Sequence, residues 1–578
     1  MIKELSELGK KLRSSESHNA LKDEPFSIDL LIGEDGSFQD FFLFEKQMAK
    51  RVEAITAKKG KARLLLDKAE EILQYGGEAS KKKHQLFLEK LNEYSNLKSI
   101  QPVLAFYNRN KEKGVELALS LFESKIPEKE RKGNIAFRLH NMDSRIHDNL
   151  EVQESIIQKY EEAQKSKLAT IAKTCSICGK NEYPVEDIPH GMIKRVPEGT
   201  TSGCALVSFN NDAFESYGLE GNQNSSICTN CAKTYVEGLG WLMNDGSPTL
   251  NEKGKEYYKF NHRKNFGPDT AMVFWTKENQ KVEEIDFLEQ PDEQAVSSLI
   301  ESVASGSKNQ SRYIQTDQFY SCTLSGVSAR IAVRDWIETS LENLRNQIAK
   351  WFQDIKISHY DSALKQTKIL YPRLYDLART GQNMDETKHY TLSRTAVHLW
   401  NCALKNSAPP LWVLTSVLKR IRLEGVTFQR ASIIRLILNR NFKGGIMINE
   451  QLDPANENPA YVAGQIFAKI ESIQYAALGD RNSGIREKYF SYAMTAPLAA
   501  FGRLFNLNAK HFTKLKSDKP GLAVNLDKEL QALVGKIEIA KLSATFSLEQ
   551  QGQFAIGYYH QKERQFNKSE SKETIKEN

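Results

Sequence analysis

The sequence predicts an α+β protein of several domains, with a mixed N-terminal region and a mostly helical C-terminal half. Its 578 residues are too many for one hydrophobic core, so we expect three or four domains. Short segments with the period of a β-strand recur in the first 330 residues, whereas apolar residues after about residue 335 recur at helical spacing. Two Cys-x-x-Cys pairs indicate a metal-binding segment inserted into the mixed region.

The N-terminal strands are predicted from apolar runs that flank a turn. Residues 26–44 contain two such runs around Glu-Asp-Gly-Ser and predict a hairpin. Residues 271–276 and 311–324 predict strands that we expect to return to this first sheet. Residues 85–165 predict helices with a polar connection near 126–134.

Two apolar stripes predict the helices of a small antiparallel bundle at the C-terminal end. Their members recur every three or four residues, as one face of a helix requires. The stripes are formed by Val462, Ile466, Ile470, Ile473 and Ala477, and by Leu526, Leu530, Leu533 and Ile537. Asn, Asp and Pro residues in 449–459 predict a hinge before this bundle, and the polar composition of 562–578 predicts disorder.

These observations divide the chain into four predicted parts. They are a mixed α/β region over 1–345 with a zinc-binding insertion at 170–240, a basic helical region over 346–446, a helical bundle over 447–561, and a disordered tail over 562–578.

The composition is that of an ordinary globular protein, with 40% hydrophobic and 26% charged residues. No apolar run approaches the roughly eighteen residues that a membrane-spanning helix needs. The N-terminus reads as an amphipathic helix with acidic residues, which is typical of neither a signal nor a transit peptide. We therefore expect a cytoplasmic protein without a membrane partner and without disulfides.

The strongest chemical signal is the pair of motifs formed by Cys175, Cys178, Cys228 and Cys231. Each pair places two thiols at the separation that a tetrahedral metal requires, and four thiolates saturate zinc and leave no open position. The sequence therefore predicts one structural zinc. His190 is a possible substitute ligand, although four cysteines do not need it.

Catalytic motifs are sparse. The sequence contains no phosphate-binding loop, no nucleophile elbow and no His-Glu-x-x-His motif. An HNH-like nuclease is an enzymatic alternative, because paired Cys-x-x-Cys motifs flank the active loop of many such nucleases and residues 186–190 are superficially similar to their core. No second histidine lies between His190 and Cys231, although that chemistry requires one.

Basic residues are concentrated before the terminal bundle. The net charge is +7, but residues 402–443 contain eight Lys and Arg against the single Glu424. Because the cations alternate with Ile and Leu, we expect an apolar face fixed on a core and arginines that project onto a nucleic-acid backbone. The predicted contacts in this stretch are Lys419, Arg420, Arg422, Arg430, Arg435 and Arg440.

Several separated motifs, in the same order, resemble the large subunit of the type I-C CRISPR surveillance complex, Cascade. The most specific is 200–218, Thr-Thr-Ser-Gly-Cys-Ala-Leu-Val-Ser-Phe-Asn-Asn-Asp-Ala-Phe-Glu-Ser-Tyr-Gly. The resemblance spans almost the whole chain. It also includes residues 30–38, 272–275, 319–334, 458–464, 485–490 and 550–561.

The resemblance implies a non-catalytic DNA-recognition subunit of an RNA-guided complex. Such a subunit reads the protospacer-adjacent motif on duplex DNA, helps to open the duplex, steadies the displaced strand and recruits a separate helicase-nuclease. Its partners would be the guide CRISPR RNA, the backbone and small subunits of Cascade, and the target DNA. The C-terminal region resembles the small subunit, and Met447 is a possible internal start for a separate copy.

The resemblance also suggests where DNA contacts lie. We expect motif reading in the N-terminal region, where the candidates are Lys58, Lys59, Lys61, Arg63 and Lys68, together with a loop formed by Thr200, Thr201, Ser202 and Gly203. A turn closed by its own hydroxyls is the alternative interpretation of that loop. The bundle would extend a basic path for displaced DNA through Arg486, Arg503 and Lys510, beside Arg481, Lys488 and Lys514.

Two features depart from the family pattern. Many relatives have Leu-Trp-Asp-Asn where this chain has residues 65–68, so Lys68 offers a charge with three donors in place of an amide. Many relatives also lack the four cysteines, which makes zinc an addition in this member. An RNA-binding scaffold without a DNA role is a further alternative.

Overall fold

The computed structural model describes residues 1–13, 17–55, 60–108, 113–168, 172–181, 183–184, 190–251, 254–305, 317–383, 390–442, 447–479, 484–538 and 542–573. Within them the chain is a mixed α and β protein with a helical C-terminal half, which confirms the predicted α+β class. It forms two compact units. The first contains residues 1–195, 199–244 and 328–331, and the second contains 196–198, 245–327 and 332–578.

The first unit contains six of the strands. They are β1 (Leu21–Ile32), β2 (Phe38–Glu53), β3 (Leu66–Lys68), β4 (Asn134–Leu139), β5 (Ala172–Lys173) and β6 (Tyr183–Pro184). Its helices are α1 (Ile2–Leu12), α2 (Ala69–Ile72), α3 (Lys81–Asn92), α4 (Gln101–Asn108), α5 (Lys113–Lys125), α6 (Leu150–Leu168) and α7 (Thr229–Asn244).

A four-stranded sheet in the order β2-β1-β4-β3 organises the first unit. The predicted hairpin is confirmed, since β1 pairs antiparallel with β2. Strand β4, which pairs parallel with β1, lies inside the stretch that was predicted to be helical. Ile28, Leu30 and Phe137 point from these strands into a core that α3, α4 and α5 cover.

Helix α1 packs along α7 in the same unit, and polar contacts fix their register. The Ser6 and Thr234 hydroxyls are 2.7 Å apart between the helices. At the end of α1, the Arg13 guanidinium donates to both carboxylate oxygens of Glu237. Helix α7, which begins at the second cysteine pair, is therefore anchored to the N-terminal helix.

The second unit contains eight strands among its described residues. They are β7 (Gly246–Leu250), β8 (Glu256–Phe260), β9 (Arg263–Phe266), β10 (Thr270–Thr276), β11 (Gln318–Val327), β12 (Arg330–Ser340), β13 (Ile357–Asp361) and β14 (Gln366–Leu370). Its helices are α8 (Glu283–Phe287), α9 (Glu293–Ser305), α10 (Leu341–Ile355), α11 (Leu374–Arg379), α12 (Tyr390–Lys405), α13 (Leu411–Glu424), α14 (Phe428–Asn441), α15 (Pro459–Leu478), α16 (Ile485–Thr495), α17 (Pro497–Asp518), α18 (Pro520–Val534) and α19 (Leu548–Glu573).

The strands of the second unit correct two predictions. Strands β10 and β11 pair with each other in a separate sheet of order β12-β11-β10-β9, so the prediction that they return to the first sheet is wrong. Residues 311–316 of the predicted second strand lie outside the described residues. The β13–β14 hairpin interrupts the part of the chain that was predicted to be almost entirely helical.

The predicted bundle stripes are confirmed on α15, and on α18 as far as its end at Val534. Helices α15 and α19 approach closely at two glycines. A Cβ at Gly464 would lie 2.0 Å from the Phe554 carbonyl oxygen, and one at Gly557 would lie 1.9 Å from that of Tyr461. The absence of side chains at these two positions therefore permits the close approach of α15 and α19, the central helix pair of the bundle.

The bundle shares its core with the helices before it. One apolar cluster runs from Phe266 to Tyr559 and includes α10 to α14. Helix α19 also continues to Glu573. The prediction that the chain is disordered from residue 562 is therefore wrong at least as far as Glu563. That carboxylate is buried and accepts a hydrogen bond from the Tyr360 backbone.

Candidate metal centre and nucleic-acid surfaces

The four cysteines of the two Cys-x-x-Cys pairs come together in the first unit. Their Sγ atoms all lie within 4.8 Å of one another, and those of Cys178 and Cys228 are 3.7 Å apart. Zinc–sulfur bonds of about 2.3 Å in a tetrahedron place sulfurs about 3.8 Å apart, so the cluster has the dimensions of a four-thiolate site. No other group of metal-ligating side chains is this close in the described parts of the chain.

The first pair lies in a tight turn shaped by backbone hydrogen bonds. The Gly179 amide donates to the Cys175 carbonyl at 2.9 Å, and the Cys175 amide donates to the Lys180 carbonyl at 2.9 Å. The Cys175 sulfur accepts from the backbone amides of Ile177 and Cys228, at 3.4 and 3.3 Å. Amides that point at sulfur stabilise a thiolate, so this turn is suited to hold a cation.

The second pair lies at the start of α7, where unpaired amides favour negative charge. Cys228 immediately precedes the helix and Cys231 lies in its first turn. A hydrogen bond between the two thiols lowers the pKa of Cys228 to about 5 and raises the pKa of Cys231. One thiolate is therefore favoured before a metal binds, and full ionisation of the cluster requires a cation.

The segments that carry the two pairs are also joined directly. The backbone amide and the hydroxyl of Ser176 both donate to the Ser226 carbonyl, at 2.7 and 2.9 Å. The Tyr183 hydroxyl donates to the Ser225 carbonyl at 3.1 Å. These contacts position the loop from residue 175 against the start of α7.

The contacts of His190 are those of a buried structural residue and not those of a metal ligand. Its ring is buried, and Nδ1 lies 2.7 Å from the Tyr235 hydroxyl. Burial lowers the pKa of His190 to about 4, so the ring is neutral near pH 7. It does not belong to the cysteine cluster. Residues 186–189 of the possible nuclease motif lie outside the described residues.

Lys68 lines an open cleft of about 830 Å³ at one end of the first sheet. Strand β3 positions it through backbone pairing with Asn134 on β4. Four lysines and two glutamates line the cleft, namely Lys46, Lys68, Lys129, Lys132, Glu45 and Glu130. Sequence reasoning missed the other three lysines because they come from β2 and from the turn before β4, and only the fold brings these segments together.

The other cations of the predicted 58–68 stretch differ in environment. Lys61 is exposed, whereas Lys58 and Lys59 lie outside the described residues. Arg63 is buried, and its guanidinium donates to the Glu53 carbonyl at 3.1 Å and to the Glu24 carboxylate at 3.0 Å. Arg63 therefore does not project into solvent in this fold, and its contact with DNA stays a prediction.

The predicted 200–203 loop is a turn closed by its own groups. The Gly203 amide donates to the Thr200 carbonyl at 3.0 Å, and the Thr200 hydroxyl donates to the Gly203 carbonyl at 2.5 Å. Gly203 has φ +110°, and a Cβ there would lie 2.9 Å from the Cβ of Met192. This geometry matches the alternative interpretation. Thr201 and Ser202 remain exposed, so their DNA contact stays a prediction.

The arginines of α14 correct the expectation that they project into solvent. Arg435 is 4% exposed and donates to the backbone carbonyls of residues 353, 354, 356 and 448. Arg430 is also buried and donates to the Thr380 and Gly425 carbonyls at 3.2 and 2.9 Å. Arg440 pairs with Asp354 at 2.8 Å and has a side chain that is 8% exposed. All three cations bind the protein's own oxygens.

The cations of α13 are closer to solvent. Lys419 is exposed. Arg420 is paired with Glu424 and donates to the Asn383 side chain at 3.0 Å. Arg422 is exposed and donates to the Gln551 side chain at 2.9 Å. Lys419 and Arg422 are therefore the members of this predicted stretch whose charges face solvent.

The bundle places further predicted cations on the surface of α16 and α17. Arg503 and Lys510 are exposed on one helix, and the Arg503 guanidinium lies 5.9 Å from the Tyr492 ring centre. Arg486 is partly buried and donates to the Glu424 carbonyl at 3.3 Å. Arg481 lies outside the described residues, while Lys488 and Lys514 are exposed.

None of the helices that the structure describes combines the length and the apolar character needed to cross a membrane.

No curated protein matches the chain. The model of one family, described as CRISPR-associated protein (Cas_Csd1), matches residues 8–566 and therefore nearly the whole chain. The match includes the sheet with its lysine-lined cleft, the cysteine cluster and the terminal helices. The chain belongs to this family of CRISPR-associated proteins.

Proposed function

We propose that this chain is the non-catalytic large subunit of a type I-C Cascade complex. The observation that carries the proposal is the family match over residues 8–566. The seven motifs that resemble type I-C large subunits support the finer assignment. In this role the chain works with guide RNA and with the backbone and small subunits of the complex.

The proposed DNA-motif site is the cleft that contains Lys68. Its lysines outnumber its glutamates by four to two, so the cleft favours a polyanion. Lys68 lies on a strand, where its backbone position is fixed, and its side chain is exposed. A lysine can donate to base edges and to phosphates, whereas the guide RNA supplies most of the sequence information by base pairing.

The proposed path for the displaced strand follows the exposed cations of the bundle. Lys488, Arg503, Lys510 and Lys514 lie on α16 and α17, with Tyr492 beneath one guanidinium. Cations and aromatic rings together bind single strands without strong sequence preference. A helicase-nuclease recruited to the assembled complex would then carry out cleavage, so this chain needs no catalytic centre of its own.

We further propose that the four cysteines hold one structural zinc. Four sulfurs saturate the ion, which leaves no position for substrate or catalytic water. The metal would tie the loop around Cys175 to the start of α7 and thereby to α1. Its role would be the stability of this segment, and its effect on DNA binding would be indirect.

The decisive experiment assembles the chain with guide RNA and the neighbouring subunits, then measures binding and cleavage of target duplex without the helicase-nuclease. We expect binding without cleavage. Metal-dependent cleavage by the isolated chain would overturn the proposal in favour of an HNH-like nuclease. Binding to RNA alone would instead favour an RNA-binding scaffold.

A further inference from the structure

Two phenylalanines on β2 form a stacked pair in which Phe42 is exposed, while Phe44 is half-buried and packs against the small apolar cluster around Phe26. Phe42 is 53% exposed, and Phe44 is two residues further along the strand. Their ring centroids are 6.3 Å apart with an interplanar angle of 25°. Alternate residues of a strand face the same side of a sheet, so both rings belong to the face opposite the helices.

Two arginines are fixed against these rings by one buried carboxylate. The guanidinium carbon of Arg138 lies 5.8 Å from the Phe42 ring centre, and that of Arg145 lies 5.3 Å from the Phe44 ring centre. Both guanidinium groups pair with Asp29, at 3.3 and 3.2 Å, and this carboxylate is 1% exposed. The rings and the cations are therefore held in place before any ligand binds.

The aromatic pair leads directly into the lysine-lined cleft. Phe44 lines that cleft together with Lys46, Lys68 and Lys132. Among the described residues, no carboxylate forms an ion pair with these three lysines. The surface therefore changes along β2 from aromatic rings to a cleft in which lysines outnumber glutamates, within a few residues that correspond to about 14 Å of strand.

We propose that this track, formed by Phe42, Phe44, Lys46, Lys68 and Lys132, binds about two or three nucleotides of a single strand. A base would stack on the exposed Phe42 ring, beside the half-buried Phe44 ring, and phosphates would lie against the lysines. The proposal rests on the proposed nucleic-acid function and adds a specific site for unpaired nucleotides beside the motif-reading cleft.

The occupant follows from the combination of groups. Exposed sheet-face aromatic rings are a platform on which single-stranded bases stack, and each base supplies a flat π-face. Paired bases of a duplex would hide those faces, whereas an apolar protein partner would leave the three lysines without anions.

The experiment measures the affinity of the full chain for a labelled ten-nucleotide oligothymidine and for the matching oligouridine by fluorescence anisotropy. Phe42→Ala should weaken binding by about 5- to 100-fold, because one stacked base is lost. Phe42→Trp should restore it, and Phe42→Leu should not, since leucine keeps apolar area without a ring. Met48→Ala is the matched control, because Met48 is 49% exposed on the same strand outside the cleft.

The outcomes separate the track from the proposed function. Weaker binding by Phe42→Ala supports the track, and the oligonucleotide that the unaltered chain then binds more tightly identifies the strand as DNA or RNA. Equal affinities of Phe42→Ala and the unaltered chain for both oligonucleotides overturn it, even if the assembled complex binds duplex DNA. Rescue by leucine also overturns it, because stacking would then be unnecessary. Failure of the unaltered complex to bind duplex DNA counts against the proposed function alone.

Discussion

Arg435 shows how a cation can serve the fold in place of a ligand. Its guanidinium is buried on α14 and donates to four backbone carbonyls, and burial lowers the pKa of the group. Three of these carbonyls, at residues 353, 354 and 356, come from the segment just before the β13–β14 hairpin, and the fourth is at residue 448. The arginine therefore fastens two parts of the second unit to one helix.

We expect Arg435→Met to lower the free energy of unfolding by about 3 kcal/mol, because several buried carbonyls lose their donors. The thermal unfolding midpoint should fall accordingly. Arg422→Met is the control, since Arg422 is exposed and should change the midpoint little. Weakened DNA binding by Arg435→Met at an unchanged midpoint would contradict this structural role.

Lys68 is the single residue on which motif preference is expected to depend most. In the assembled complex, Lys68→Ala should reduce the ratio of affinities for duplexes with and without the motif by about 5- to 100-fold, as the loss of one good base contact does. Lys98→Ala, at an exposed lysine outside both the cleft and the 58–68 stretch, is the control. An unchanged ratio with Lys68→Ala would remove this residue from motif reading.

The roles of individual residues were predictable from the sequence where a local pattern identifies them. The spacing of the two Cys-x-x-Cys pairs alone predicts a metal site, and the fold brings their sulfurs together. Arg430 and Arg435 alternate with apolar residues, as the cations of a surface helix do. Their burial depends on contacts with residues dozens of positions away, such as Thr380 and Gln353, which no local pattern contains.

At the scale of elements, the cysteine cluster couples a loop to a helix. Metal binding and local folding are linked because the ligands come from segments about fifty residues apart. We expect one zinc per chain by elemental analysis. Cys228→Ser should lower the zinc content and increase proteolysis within 170–240, while leaving DNA binding only indirectly affected. Absence of zinc from protein purified without a chelator would contradict the site.

Three buried histidines make the stability of their elements depend on pH. Burial lowers the pKa of His147 and His190 to about 4 and that of His560 to about 3, from an ordinary value of 6.5. Between pH 6.5 and the lowered pKa values, the unfolded chain therefore binds more protons than the folded chain. The stabilisation is complete above pH 6.5 and is lost as the pH falls below it.

We expect the midpoint temperature of thermal unfolding to decrease as the pH is lowered from 7.5 to 5.5. His560→Asn, which can keep the hydrogen bond that the ring makes with the Tyr461 hydroxyl at 2.9 Å, should reduce this dependence. Each depressed histidine contributes a slope of up to about 1.4 kcal/mol per pH unit. An identical pH dependence in the variant and the unaltered chain would contradict the assignment to His560.

Elements were predictable where periodicity is strong and were missed where pairing is distant. The N-terminal hairpin and the stripe of α15 follow from local patterns. Strand β4 pairs parallel with β1, more than a hundred residues earlier, and its six residues are too few to stand out between helices. Strands β10 and β11 were recognised as strands, but their membership of a second sheet depends on tertiary contacts.

At the scale of the whole molecule, the boundary at Met447 has a physical cost. The α15–α19 helices share one apolar core with α10 to α14, and the Tyr559 hydroxyl donates to the Ser358 carbonyl at 2.9 Å. A product that starts at Met447 would expose this shared surface to water. Sequence periodicity identified the bundle helices but contained no information about what covers their remaining faces.

The central claim is that this chain gives a guide-RNA complex its preference for a protospacer-adjacent motif. The most direct test measures duplex affinity for complexes assembled with and without the chain, on targets that differ only in the motif. We expect the complete complex to prefer the motif-containing duplex without cutting it, and the preference to vanish when the chain is omitted. Equal motif preference in both complexes would contradict the claim.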